Sequence, residues 1–312
     1  MAAAGPRLNP TLAVVVGDNV VTIGTTMRSA VSFQGAAADH VSFATGETSC
    51  EQGFDQLNLA GFEAKPPLTV SAEVAEAISR DRRVAFWSLL APNPIEVLQA
   101  LHGKRVCVYG LGGVGAAVDQ FLAMQGVGEL ILVDDDLVEE VNISKSTAYA
   151  KKDIGSKKCY SLAHALSHIC HAIPLDGRLT QEVVSSCDFI AWCGDDDERN
   201  VFSYLAENPD RKYGLISGGI NEHEVIVGPT LNPEDTYKRS NGPYGQANVS
   251  IRPGVNPGTI ISVSICASLI ANEICLSLSG AIAPPLRNHI LTIDLITMAT
   301  TKRYVGGIND VR

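Results

Sequence analysis

Between Lys104 and Lys158 the chain reads KRVCVYGLGGVGAAVDQFLAMQGVGELILVDDDLVEEVNISK and, after a short gap, KKDIGSKK. No other stretch constrains the fold as tightly. Val106 to Tyr109 predict a short buried strand, and Gly110, Gly112, Gly113 and Gly115 a tight glycine turn. Ala116 to Gln125 predict a helix, and Glu129 to Val133 a second apolar strand closed by Asp134, Asp135 and Asp136. Strand, glycine turn, helix, strand, acid is the nucleotide-binding half of a doubly wound α/β fold. Glycines let backbone N–H groups approach a phosphate, and the helix N-terminus adds a favourable partial charge. An acid after the second strand can accept hydrogen bonds from a ribose. This much fits nicotinamide dinucleotides, flavins, S-adenosylmethionine and ATP alike.

The residues after Asp136 narrow the choice. Asn142 and Lys145 follow closely, and Lys158 sits in a GSKK turn that opens the next helix. A dinucleotide with two esterified phosphates needs little cationic charge beyond the glycine turn. A triphosphate benefits from several cationic side chains and a metal-binding acid. Charge matching therefore favours ATP over NAD.

Further along, Asp188 to Trp192 predict another buried strand, ending in Cys193, Gly194 and the aspartates Asp195, Asp196 and Asp197. Acids at the C-terminal end of a strand lie where open α/β sheets bind ligands. Tyr213 to Ser217 predict a strand leading into Gly218-Gly219. Residues 233–257 are polar and rich in Gly, Pro and Asn, too long for an ordinary loop, and predict a lid or crossover. Tyr237, Lys238, Arg239, Tyr244 and Arg252 are its candidates for gripping a substrate. Thr259 to Leu278 is the most apolar stretch, but Asn272, Glu273 and several serines make it a buried or interface helix rather than a membrane span. Ile290 to Val305 predict a final strand pair.

GLGGVG, LVDDD, VNISKS and DIGSKK together resemble the ThiF/MoeB superfamily, the fold of ubiquitin-activating enzymes, over about residues 80–305. The resemblance implies a Rossmann-like sheet with helices on both faces and adenylylation of a carboxylate with Mg-ATP. It implies that Asp136 holds the ribose and that Gly112 and Gly113 approach the phosphates. Asn142, Lys145 and Lys158 would contact the triphosphate, and Asp196 would bind Mg2+, with Asp195 and Asp197 as understudies. Arg82 would reach the triphosphate of the partner subunit in a homodimer, with Arg80 and Arg83 as near rivals. One position departs from the family: Lys145 stands where Arg is usual, which keeps the charge and loses the bidentate fork.

Residues 1–70 are of another kind. Thr11 to Val16 and Asn19 to Ile23 predict strands around a Gly17-Asp18 turn, Ala30 to Phe33 a third strand, and Glu47 to Leu59 and Ser71 to Ser79 helices. With the opening PRLNP, this resembles the winged-helix-like PqqD family, which recognises leader peptides in ribosomal-peptide biosynthesis; an ordinary packing or dimerisation domain is the alternative. Paired prolines in KPPLTVS mark a boundary. The division is thus a leader-recognition α+β domain at 1–70, a connecting helical segment at 71–103, and an adenylyltransferase domain at 104–312.

Composition closes off other classes. A net charge of −10 argues against a nucleic-acid or anionic-membrane surface. Eight scattered cysteines with no CxxC pair point to a reduced, cytoplasmic protein, and the structural zinc of many superfamily members should be absent. Residues 194–265 hold no Cys, which argues against a thioester intermediate. His164, His168 and His171, placed on the helix after Lys158, read as surface or packing histidines rather than a metal site. The reading is an ATP-dependent adenylyltransferase that activates a carboxylate or amide of a ribosomal precursor peptide for cyclisation or dehydration, in natural-product biosynthesis. Its rivals are a catalytically silent leader-binding partner and a nicotinamide-dependent oxidoreductase.

Overall fold

The computed structural model describes residues 7–8, 11, 13–17, 20–24, 31–34, 69–194, 211–235 and 258–305. The chain divides into two compact units, Met1–Gln99 and Ala100–Arg312.

In the first unit, β1 (Arg7–Leu8) is joined in sequence to an antiparallel meander of β2 (Ala13–Gly17), β3 (Val20–Gly24) and β4 (Val31–Gln34). Gly17 pairs with Val20, so it belongs to the strand and not, as the sequence suggested, to the turn. β5 (Thr69–Val70) pairs antiparallel with β1. Two helices follow, α1 (Ala72–Arg80) and α2 (Arg82–Trp87). The Ser71 hydroxyl caps α1 by accepting from the Val74 N–H, and the Asp81 carboxylate caps α2 by accepting from the Arg83 N–H at 2.8 Å. Val70, Val74, Ile78 and Val84 form a small core, with Ile95 and Leu98 of α3 (Pro94–His102) packed against it. The Glu47 to Leu59 helix lies outside the described residues.

The second unit is built on an eight-stranded sheet. Its elements run β6 (Arg105–Tyr109), α4 (Gly113–Gln125), β7 (Glu129–Val133), α5 (Glu140–Lys145), a 3-10 turn (Lys151–Asp153) and α6 (Lys158–Leu166). Then come β8 (His171–Leu175), α7 (Gln181–Ser185), β9 (Phe189–Trp192), β10 (Gly214–Asn221), β11 (Glu224–Val227), α8 (Ile260–Ser279), β12 (His289–Asp294) and β13 (Thr300–Tyr304). The spatial order is β13-β12-β11-β10-β9-β6-β7-β8. Strands β10, β9, β6, β7 and β8 are parallel, and β11 to β13 continue antiparallel.

β6, β7 and β9 are buried almost throughout, as parallel strands covered on both faces should be, hence their unbroken apolar sequences. One face packs Cys107, Tyr109, Ile131, Ile190, Trp192 and Leu215 against Val183 and Val184 of α7. On the other, α4 packs against both α8 and α6. α8 is the one helix among the described residues long and apolar enough to cross a membrane. Its Cys266, Ala267, Ile270 and Ile274 are fully buried. Its Glu273 carboxylate accepts from the Thr230 hydroxyl at 2.7 Å and the Leu286 N–H at 3.0 Å. Those contacts are what a core helix makes.

Three local expectations are corrected. α4 begins at Gly113 rather than Ala116, because Gly112 serves as its N-cap and the glycines enter the first turn. β10 runs through Gly218-Gly219 to Asn221 instead of stopping before them. Gly218 lies under α8, where a Cβ would meet Ile270 Cδ1 at 2.8 Å, so its lack of a side chain permits helix–sheet contact. Of the three histidines placed on α6, only His164 is helical. His171 opens β8, and its Nδ1 lies 2.9 Å from Glu129 Oε2.

Candidate nucleotide site

The site is assembled where β6 and β7 end. Gly110 adopts φ +84°, and its N–H donates to the Val133 carbonyl at 2.9 Å, tying the start of the glycine turn to the end of β7. A Cβ on Gly115 would collide with the Gly110 carbonyl, so only glycine lets α4 start this close to the strand. Gly112 differs: a Cβ there would meet nothing within 4 Å among the described residues. Protein packing explains the glycines on either side of it, whereas no described residue crowds Gly112 beside the helix N-terminus. The first N–H to bond inside α4 is that of Ala116, donating to the Gly112 carbonyl. The N–H groups of Gly113, Val114 and Gly115 precede it and have no intrahelical acceptor. That cradle fits an anionic oxygen.

Asp134 was not singled out by the sequence, yet it organises the turn. It is 7% exposed. Its Oδ2 accepts from the Leu111 N–H at 2.6 Å and its Oδ1 from the Asp136 N–H at 2.7 Å. Asp136 itself is exposed, and its carboxylate meets Lys158 Nζ at 2.7 Å; Lys158 Nζ lies 3.9 Å from Asp134 Oδ1. Lys158 is 7% exposed, an unusual burial for a lysine, sustained by those two acids. Its position is set by the first turn of α6 and by its own N–H, which donates to the Asp136 carbonyl. The Asp136 and Lys158 predicted far apart in sequence are thus brought into contact.

Asn142 is buried in α5, where its Oδ1 accepts from the Glu139 N–H at 2.8 Å and closes the start of that helix. Lys145 ends α5, half-buried, and makes no ion pair among the described residues. Its carbonyl lies 3.0 Å from where a Cβ on Gly113 would stand, so the chain at Lys145 abuts the start of α4. Asp134, Asp135 and Asp136 form the one cluster of three potential metal ligands among the described residues. Protein cations already meet it: Lys158 on Asp134 and Asp136, and Arg178 on Asp135 at 3.1 Å. It is an acid–base network rather than a metal centre. Asp195, Asp196 and Asp197 lie outside the described residues, as do Tyr237, Lys238, Arg239, Tyr244 and Arg252.

In the first unit the three arginines separate. Arg80 pairs with Glu76 at 2.6 Å and Arg83 with Asp81 at 2.7 Å, while Arg82 is exposed and makes no ion pair among the described residues. The seven described cysteines are free thiols. Burial pushes the Cys266 and Cys275 thiols up to about 12, so both stay protonated and inert near neutral pH.

The ThiF family pattern matches residues 81–307, well over half the chain. The chain belongs to the ThiF family. Relatives in it include the molybdopterin-synthase adenylyltransferase of Salmonella typhimurium, 30% identical over 213 residues, spanning 64% of this chain and 82% of that protein. The SAMP-activating enzyme E1 of Haloferax volcanii is 36% identical over 176 residues, covering 51% and 64% of the two chains. Among solved structures, E. coli MccB bound to AMPCPP and MccA matches with a TM-score of 0.79 at 16% identity, over 96% of this chain and 97% of that one. PaaA matches with a TM-score of 0.70 at 18% identity, over 96% and 99%. At such identities these two matches establish a shared fold. Membership with named adenylyltransferases makes this ThiF protein an ATP-dependent adenylyltransferase, and gives the oxidoreductase reading no support.

Proposed function

We propose that this ThiF protein adenylylates a carboxylate or amide oxygen of a ribosomally made precursor peptide with Mg-ATP, for cyclisation or dehydration of that peptide. The observation that carries the ATP site is the cradle at Gly112, with Lys158 buried on Asp134 and Asp136 beside the glycine turn and the end of α5 at Lys145 abutting the start of α4, Lys145 making no ion pair among the described residues. The peptide substrate is supported by the shared fold with MccB, whose structure holds MccA, and by the match over nearly the whole chain. In this reading the N-terminal unit binds the leader, the enzyme is a cytoplasmic homodimer, and residues 233–257 grip the peptide end.

The chain's own residues divide the work. The N–H groups at the start of α4 bind phosphate oxygens. Lys158 exchanges its contact with Asp136 for the triphosphate, and Lys145 meets it from the end of α5. The freed Asp136, beside the backbone-bound Asp134, accepts from the ribose hydroxyls. The peptide oxygen attacks the α-phosphate in line and pyrophosphate leaves, with the negative charge that develops met by both lysines and, from the partner subunit, Arg82. Magnesium, held through Asp196, would neutralise phosphate charge. The acyl adenylate is then captured by a neighbouring group of the same peptide.

Calorimetry with Mg-ATP, with NADH as comparison and Asp196→Ala as control, tests the nucleotide. Micromolar Mg-ATP binding that the substitution weakens is expected; NADH binding alone would overturn the reading. Pyrophosphate release on adding a candidate precursor peptide tests the substrate. Mixing inactive Arg82→Ala and Lys158→Ala proteins tests the dimer, because one intact site per heterodimer restores about a quarter of the activity. No recovery would place Arg82 outside the partner's site.

A further inference from the structure

Leu111, the residue inside the glycine turn, is held by side chains on both of its backbone groups. Its N–H donates to Asp134 Oδ2 at 2.6 Å, and its carbonyl accepts from the Tyr149 hydroxyl at 2.7 Å. Both contacts are shielded from water: Leu111 is 0% exposed and Tyr149 5%. Tyr149 comes from the segment between α5 and the 3-10 turn, 38 residues along the chain, and among the described residues its hydroxyl makes this one hydrogen bond.

The consequence follows from peptide geometry. The Leu111 carbonyl and the Gly112 N–H belong to one planar trans peptide and point in opposite directions. A hydroxyl that holds the carbonyl inward therefore aims the Gly112 N–H outward. That is the residue whose Cβ position meets no described residue within 4 Å. Gly112 is also the residue with most freedom to rotate if released, since it lacks a side chain and caps α4 without a side-chain bond. Burial pushes the Tyr149 hydroxyl far above the usual phenol range, helped by the nearby acids Asp119 and Asp134, so it remains a donor throughout the working pH range.

We propose that Tyr149 is a positioning residue for the triphosphate, its hydroxyl orienting the Leu111–Gly112 peptide so that the Gly112 N–H meets a phosphate oxygen. The inference rests on the ATP reading of the glycine turn. Its test compares Mg-ATP with adenosine, which carries no phosphate, on the unsubstituted protein and on Tyr149→Phe, by calorimetry. Loss of the hydroxyl should weaken Mg-ATP by about five- to tenfold and leave adenosine within about twofold. A merely structural tyrosine would weaken both ligands together or neither, and either result overturns the proposal. The two failures are separable: unsubstituted protein that binds no Mg-ATP defeats the nucleotide reading. Normal binding by both proteins defeats only the role of Tyr149.

Discussion

The two ends of the parallel sheet carry similar charged residues and differ in what those residues can still do. At the N-terminal ends of the strands, His102, Lys104, Arg105, Glu129, His171 and Asp188 line an open cleft of about 430 Å³. Lys104 pairs with Asp188 at 3.1 Å, and Arg105 and His171 share Glu129. The backbone there is closed as well: the Asp188 N–H donates to Arg105, that of Glu129 to Lys104 and that of His171 to Gly128. At the C-terminal ends, Lys145 has no ion pair among the described residues, Lys158 is buried on the acids, and the first N–H groups of α4 have no helical acceptor. Chain direction makes the difference. Helices in a doubly wound sheet begin above the C-terminal strand ends, so unpaired N–H groups collect there. Charge alone does not mark a site; charge beside unspent backbone donors does.

The largest effect that sharpens this contrast is expected from Lys158→Ala, which should lower ATP–pyrophosphate exchange by about a hundredfold or more. A loss below about fivefold would remove the distinction between buried and surface cations. Lys145→Ala should cost about tenfold, and Lys145→Arg should keep or raise exchange because the guanidinium adds a second parallel donor. Equal loss in both variants would show that a bidentate fork cannot be accommodated.

Between the two ends lies Asp119 on α4, fully buried, with neither carboxylate oxygen hydrogen-bonded among the described residues. Burial raises its pKa well above the usual carboxylate value. The folded state then holds a proton that the unfolded state has lost, so this residue's contribution to stability falls as pH rises through the ordinary aspartate range and above. Asp119→Asn should flatten that dependence and raise the melting temperature by about 2–4 °C at neutral pH. Melting curves from pH 4 to 8 that stay parallel for the two proteins would contradict it. The smallest effect belongs to the opposite end. Lys104→Ala breaks a pair about one-third exposed on each side. It should change stability by less than about 1 kcal/mol, and exchange by less than about twofold. A large loss of exchange would show that the lower cleft takes part in the reaction.

The sheet was legible because its signals are local. Val106 to Tyr109 and Glu129 to Val133 read as strands from apolar runs, and β6 and β7 stand where those runs place them, with a helix between. The helix start was missed because glycine carries low helix propensity, and close tertiary contacts outweigh it: Gly115 against the Gly110 carbonyl, Gly113 against the Lys145 carbonyl and Val263. Asp134 escaped notice for a different reason. Three aspartates in a row look alike in sequence, and only the path of the chain decides which one faces the glycine turn. The histidine spacing misled because α6 ends at Leu166, leaving His168 and His171 beyond it.

What the sequence determined by itself was the strand–glycine–helix–strand unit and the family. Those follow from residue type and spacing within a few tens of residues, the range over which local conformation dictates proximity. What only the tertiary structure decided was which groups are already spent. Asp134 and Tyr149 hold Leu111 from 23 and 38 residues away, Lys158 reaches back to Asp136, and Lys104 is neutralised from 84 residues away. A hydrogen bond depends on distances of a few tenths of an ångström between groups far apart along the chain, and no local pattern encodes that distance.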